Sequence, residues 1–276
     1  MGRLRSRIQW ATAQAAFVGY PKSGNTWTRF LVGRYVQLLC GTQQMPLYDS
    51  HDWLGRCERA PQGPRMIFTH RPLEWSGQTA EDLTPRNVVA PFHGKKVVLI
   101  ARYPLDILVS AWFQQRFRVG KPFTGDLVAF LDDPSFGLQK LLRFHKIWAD
   151  RCDEVAAFRV LRYEDLIADA GANLTAICNF LDIPVDESRV EESVDYASFE
   201  NMKSLEESGD GVRYRSSGLN VFATGDKANP DAWHMRRGKV SGYRDYLDSG
   251  AARSFEDKIS SSMADRFGYK NPPIAA

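Results

Sequence analysis

The segment Lys96-Val-Val-Leu-Ile-Ala101 is apolar without interruption after its first residue. A strand wetted on one face alternates apolar and polar side chains. An unbroken run therefore needs cover on both faces, the situation of a parallel sheet between helical layers. Other short runs fit the same sheet: Ala15–Gly19, stopping at Tyr20-Pro21, then Arg65–Thr69 and Val155–Leu161. Between them the apolar spacing turns helical. Trp27, Phe30, Leu31, Tyr35, Leu38 and Leu39 share one face of a helix that Gly41 ends. Pro104 opens a helix from about Leu105 to Phe117. Leu138–Trp148 and the stretch holding Leu174, Ile177, Phe180 and Leu181 supply two more. Strand–helix alternation predicts an α/β fold over 1–276: a single domain with a central parallel sheet flanked by helices and right-handed crossovers. Residues 205–233, rich in glycine and charge, read as a long loop or mobile lid.

Composition narrows the function classes. Charged residues make up 25% and apolar residues 43%, the balance of a folded globular chain. With 36 basic and 33 acidic side chains the net charge is +3, too mild for a nucleic-acid coat. No run reaches the length of a membrane span. Arg3, Arg5 and Arg7 precede Ala11–Tyr20, but Gln14 interrupts the stretch and it leads directly into a glycine-containing loop, which argues against a signal peptide. Cys40, Cys57, Cys152 and Cys178 form no C-x-x-C pair or metal-like spacing. Free thiols in a reducing, cytoplasmic setting are the expectation.

Two segments carry chemistry. Tyr20-Pro-Lys-Ser-Gly-Asn-Thr-Trp27 lies between a strand and a helix, where backbone N–H groups and the helix dipole attract anions. Gly24 allows close approach, Lys22 brings a point charge, and Ser23 and Thr26 bring hydroxyls. The segment lacks the G-x-x-x-x-G-K-[ST] pattern of a Walker A loop, so it is P-loop-like only in its strand–loop–helix setting. Arg102 stands at the carboxyl end of the apolar strand, where open α/β sheets place ligands, and Ser110 follows in the next helix. A salt bridge from Arg102 to Asp106 is the structural alternative. Trp27 suits either a purine ring or the apolar stripe of its own helix.

Taken together, these motifs resemble those of sulfotransferases that use 3′-phosphoadenosine 5′-phosphosulfate (PAPS), most nearly the cytosolic type. Tyr20–Trp27 is similar to the family's loop around the 5′-phosphosulfate, so Lys22, Ser23, Gly24, Asn25, Thr26 and Trp27 are implied cofactor contacts. Arg102 and Ser110 match the pair that grips the 3′-phosphate. Pro64–His70 resembles the segment whose histidine is the catalytic base. Tyr163-Glu-Asp-Leu166 and Ser198-Phe-Glu-Asn-Met202 resemble adenine-contacting segments, implicating Tyr163 and Phe199. Arg236-Arg-Gly-Lys-Val-Ser-Gly-Tyr243 resembles the late element closing on the 3′-phosphate, implicating Arg236, Arg237 and Gly238. Three positions depart from the pattern. Phe68 replaces a lysine, Ser241-Gly242-Tyr243 replaces G-D-W, and Ala197 replaces a frequent threonine.

The resemblance implies sulfuryl transfer from PAPS to a hydroxyl, with His70 as base and Lys22 on the bridging oxygen. The implied acceptor is a small molecule, lipid or carbohydrate, with no metal, nucleic acid or membrane span involved; the oligomeric state stays open. Without the motif, His70 has no advantage over His93 or His145, and Glu74 is a nearby acidic competitor. Two other readings stand beside this one. One is a magnesium-dependent P-loop kinase, and the other a non-catalytic protein binding a nucleotide or an acidic glycan on the same fold.

Overall fold

The computed structural model describes residues 8, 10–42, 63–73, 77–119, 122–208 and 229–274. Four strands form one sheet in the order β2-β1-β3-β4, all parallel: β1 (Ala15–Gly19), β2 (Met66–Thr69), β3 (Lys96–Ala101) and β4 (Ala157–Arg162). β1 pairs with β2 from Ala15↔Met66 and with β3 from Ala15↔Lys96. Two strand starts differ from the sequence reading. Arg65 precedes β2. Val155 enters the core from a short turn, and ladder pairing begins only at Ala157 opposite Lys96.

Helix α1 (Asn25–Cys40) follows β1, and α2 (Pro85–Val88) precedes β3. After β3 come α3 (Pro104–Phe117), α4 (Leu127–Asp132) and α5 (Leu138–Arg151). After β4 come α6 (Tyr163–Ala168), α7 (Ala170–Phe180), α8 (Glu187–Tyr196), α9 (Phe199–Ser208) and α10 (Ser249–Ser262). The predicted helix boundaries at Gly41 and Pro104 hold. Gly41 caps α1 at φ 65°, a left-handed conformation that favours glycine, and Pro104 sits in the first turn of α3.

Both sheet faces are covered, as the β3 run requires. Val97, Leu99 and Ala101 point into a core shared with Leu108 of α3, Leu141 of α5 and Phe255 of α10. Val98 and Ile100 point the other way, against Leu31 and Tyr35 of α1 and Leu174 and Ile177 of α7.

Cys40 is disulfide-bonded, which corrects the expectation of four free thiols; Cys152 and Cys178 are free. A disulfide depends on the separation of the two Cα atoms in space, which sequence spacing does not reveal. The predicted 205–233 loop falls mostly outside the described residues, and α9 runs on through Ser208 within it. No helix among the described residues is long and apolar enough to cross a membrane.

Leu99 is fully buried on the central strand β3, between β1 and β4. Leu99→Ala should lower unfolding stability by about 2–5 kcal/mol, read from urea denaturation.

Candidate active site

Strand order reverses between β1 and β3: the chain leaves β1 toward β2 on one side, then crosses to β3 on the other. Ligands in open α/β sheets bind at the carboxyl end of such a switch point. The loops leaving these two strands, Tyr20–Gly24 and Arg102–Tyr103, face a cavity of about 690 Å³.

The first loop is shaped by left-handed backbone at Lys22 (φ 77°) and Gly24 (φ 109°). A Cβ at Gly24 would lie 2.9 Å from the Tyr163 ring, so glycine is required there by space as well as by φ. Gly24, Asn25 and Thr26 bring the first turn of α1, with its N–H groups that lack intrahelical partners, to the cavity wall. Ser23 departs from expectation. It is fully buried, its Oγ donates to the Tyr20 carbonyl at 2.7 Å, and it does not line the cavity. Its hydroxyl holds the turn.

The remaining sequence candidates converge on the same wall: Lys22, Trp27, His70, Arg102, Ser110, Tyr163, Phe199, Arg236, Arg237 and Gly238. Arg102 makes no ion pair to Asp106. Its guanidinium lies 4.2 Å from the Tyr163 ring centroid and donates to the Lys239 carbonyl at 3.1 Å. Asp106 instead accepts from the backbone N–H groups of Ser241 (2.8 Å) and Tyr243 (3.0 Å), fixing the turn after the Arg236–Gly238 segment. Trp27 meets the edge of Tyr163 at 5.4 Å and donates its indole N–H to the Ala197 carbonyl at 2.9 Å. Gly238 packs so closely on Phe199 that a Cβ would come within 2.9 Å of the ring.

Of the three histidines weighed from the sequence, His70 is the one that lines the cavity. His145 is buried beneath aromatic rings, and His93 pairs with Glu154 on the surface. The Nδ1 of His70 lies 2.7 Å from the Gly19 carbonyl, and a carbonyl only accepts, so Nδ1 carries the proton. In the neutral ring Nε2 is then a lone-pair acceptor. Burial, aided by the charges of Arg29 and Lys22, lowers the His70 pKa to about 4 and keeps the ring neutral. Lys22 falls to about 7, first through burial and then through repulsion from Arg118, Arg102 and Arg236. Glu74 lies outside the described residues.

Several cavity residues were not foreseen: Arg29, Gln114, Arg118, His234 and Lys239. Phe68, the apolar replacement for a lysine, stacks on Phe17 at 4.3 Å. Arg29 supplies a cation above it, 4.9 Å from the Phe68 centroid, and donates to its carbonyl at 3.3 Å. Gln114 and Arg118 follow Ser110 at helical spacing, the one sequence signal that marks them. Among the described residues no three His, Cys, Asp or Glu side chains group as metal ligands.

The sulfotransferase domain model matches residues 13–267, and the chain belongs to this family. It is similar to rat sulfotransferase 2A2, at 23% identity over 263 residues, covering 89% of this chain and 82% of that protein. Cytosolic sulfotransferase 15 of Arabidopsis thaliana is 25% identical over 282 residues, covering 90% and 70%. Among solved structures, mouse sulfotransferase SULT7A1 complexed with PAP has a TM-score of 0.62 at 22% identity, covering 94% of this chain and 87% of that one. Retinol dehydratase in complex with androsterone and the inactive cofactor PAP has a TM-score of 0.58 at 21% identity, covering 91% and 81%. These likenesses agree with the α/β fold described above.

Gly24→Ala should destabilise by about 1–3 kcal/mol through backbone strain, with the Tyr163 clash adding to it. Gly94→Ala, also at positive φ (74°) but facing open space, is the control and should cost less. Paired urea unfolding curves make the comparison.

Proposed function

We propose that this sulfotransferase moves the sulfuryl group of PAPS to a hydroxyl of a small-molecule, lipid or carbohydrate acceptor, with His70 as general base. One observation carries the reading: His70 lines the same cavity as Lys22 and the arginines, and its Nδ1 is taken by the Gly19 carbonyl, which leaves Nε2 as the acceptor. The α1 N-terminus with Lys22 and Thr26 suits a 5′-phosphosulfate. Arg102, Ser110, Arg236 and Gly238 suit a 3′-phosphate, and Trp27, Tyr163 and Phe199 form an aromatic setting for adenine. The relatives solved with PAP, the desulfonated product, support this donor, and retinol dehydratase with androsterone supports a small-molecule acceptor.

In the proposed step Nε2 of His70 removes the acceptor's hydroxyl proton as the acceptor oxygen bonds to sulfur. The bond from sulfur to the bridging oxygen breaks, and its electron pair stays on the 5′-phosphate, where Lys22 meets the growing charge. Such loose transfers depend chiefly on positioning and on cationic donors placed in advance. A cytoplasmic location belongs to the same proposal. Relatives named as cytosolic sulfotransferases support it.

Radiolabelled PAPS offered with phenols, alkyl alcohols, sugars and amines tests the reading; label on no acceptor, or only on amines, overturns it. With the acceptor found, His70→Ala should cut kcat by about 10²–10⁴-fold while PAP affinity stays nearly constant. A base must be unprotonated to act, so activity is lost as pH falls through its pKa. The acid limb of kcat/KM should therefore lie near the lowered value of about 4, below the ordinary 6.5.

Lys22 gives the opposite sign. A bound anion raises its pKa above the free value of about 7, so binding takes up a proton when the pH exceeds 7. PAP affinity should then be greatest below pH 7 and fall about ten-fold per unit above it, until the bound lysine also titrates. Calorimetry in buffers of different ionisation enthalpy reads the uptake, and Lys22→Arg should abolish it.

A further inference from the structure

We infer that His234, held by Arg118, is a positioning residue that fixes the hydroxyl of Thr26 as a hydrogen-bond donor to the donor nucleotide's 5′-phosphate. Arg118 Nη1 lies 2.9 Å from His234 Nδ1, and His234 Nε2 lies 3.1 Å from Thr26 Oγ1. A guanidinium only donates, so Nδ1 of His234 is the acceptor and the ring's proton sits on Nε2. Nε2–H therefore donates to Thr26. With one lone pair of Oγ1 engaged by His234, the O–H of Thr26, which lines the cavity, is left to donate to a ligand there. It stands there in the first turn of α1, beside the backbone N–H groups that already favour an anion.

The arrangement is built rather than incidental. Glu206 of α9 accepts from the backbone N–H groups of His234 (2.6 Å) and Met235 (2.7 Å), which sets where the imidazole stands. Glu206 is itself almost fully buried. Burial and the charges of Lys22 and Arg118 hold His234 well below its ordinary pKa, so the neutral tautomer persists. The chain from guanidinium to imidazole to hydroxyl polarises each member toward the anion. Because both ring nitrogens are engaged, His234 is no rival to His70 as base. Three separate parts of the chain thus meet at one hydroxyl: the end of α3, the residues before Arg236, and the first turn of α1.

The inference rests on the PAPS reading, and nucleotide binding tests it without knowledge of the acceptor. Calorimetry compares PAP with adenosine 3′-monophosphate, which lacks the 5′-phosphate. His234→Asn reaches the Nδ1 position but not Thr26, and should weaken PAP about ten-fold while leaving the 3′-monophosphate unchanged. His234→Gln places an amide nitrogen near the Nε2 position and should return PAP affinity to within about three-fold of wild type. Thr26→Val should match His234→Asn, and the double variant should be no weaker than either single one. Equal weakening of both nucleotides, additive losses, or a Gln variant as weak as Asn would overturn the relay. Wild-type protein that binds the 3′-monophosphate as tightly as PAP would overturn a role at the 5′-phosphate. Failure to bind either nucleotide would overturn the donor reading, and the relay with it.

Discussion

The pairing of β1 with β3 is the constraint on which the site depends. Ala15 opposite Lys96 and Gly19 opposite Ile100 put two strand ends side by side, although the chain between them passes through β2 on the far side. One strand end delivers the Lys22–Gly24 turn and the other Arg102. Neither loop makes a site by itself. The β2 end completes it, because His70 reaches across to the Gly19 carbonyl and Arg29 of α1 reaches back to the Phe68 carbonyl. Shifting the register by a single residue would exchange the two faces of β1 and break these contacts together.

Several cations face one cavity, and their repulsion has to be offset. Arg102 lies against Tyr163, Arg236 against Phe113 at 4.2 Å, and Arg29 against Phe68, so flat guanidinium groups rest on ring faces. Arg237 and Lys239 share Asp245 at 2.9 and 3.0 Å. Lys22 has no such ring contact among the described residues, and burial first, then the neighbouring guanidinium charges, lowers its pKa. A cavity of this sign favours a polyanionic ligand, and loading it would relieve the repulsion. Binding energy and the charge state of Lys22 are coupled for that reason.

The sheet was largely legible because covering both faces of β3 leaves few alternatives, and because Gly41 and Pro104 mark helix ends by their backbone preferences alone. The strand–loop–helix setting of Tyr20–Trp27 was legible for the same local reason. Long-range roles were not. Nothing in the spacing of Asp106 says that it holds the N–H groups of Ser241 and Tyr243 in place of Arg102, since the partners are separated by most of the fold. Ser23 looked like a ligand hydroxyl because its type fits, yet the left-handed turn at Lys22 sends it inward to the Tyr20 carbonyl. Arg118 and His234 meet only in the fold, 2.9 Å apart, a pairing that no single stretch of sequence contains. The Cys40 disulfide is of the same kind.

Two histidines share this cavity, and a different partner touches Nδ1 in each. For His70 the partner is a carbonyl, which leaves the proton on Nδ1 and a lone pair on Nε2. For His234 it is a guanidinium, which moves the proton to Nε2 and makes that nitrogen a donor. Both rings are kept neutral by burial among cations, so the tautomer, not the charge, divides their roles. On the proposed reading one ring takes a proton and the other aims one. A fold that gives one ring the Gly19 carbonyl and the other the Arg118 guanidinium prepares two tautomers of the same side chain. The residue type alone could not have told them apart.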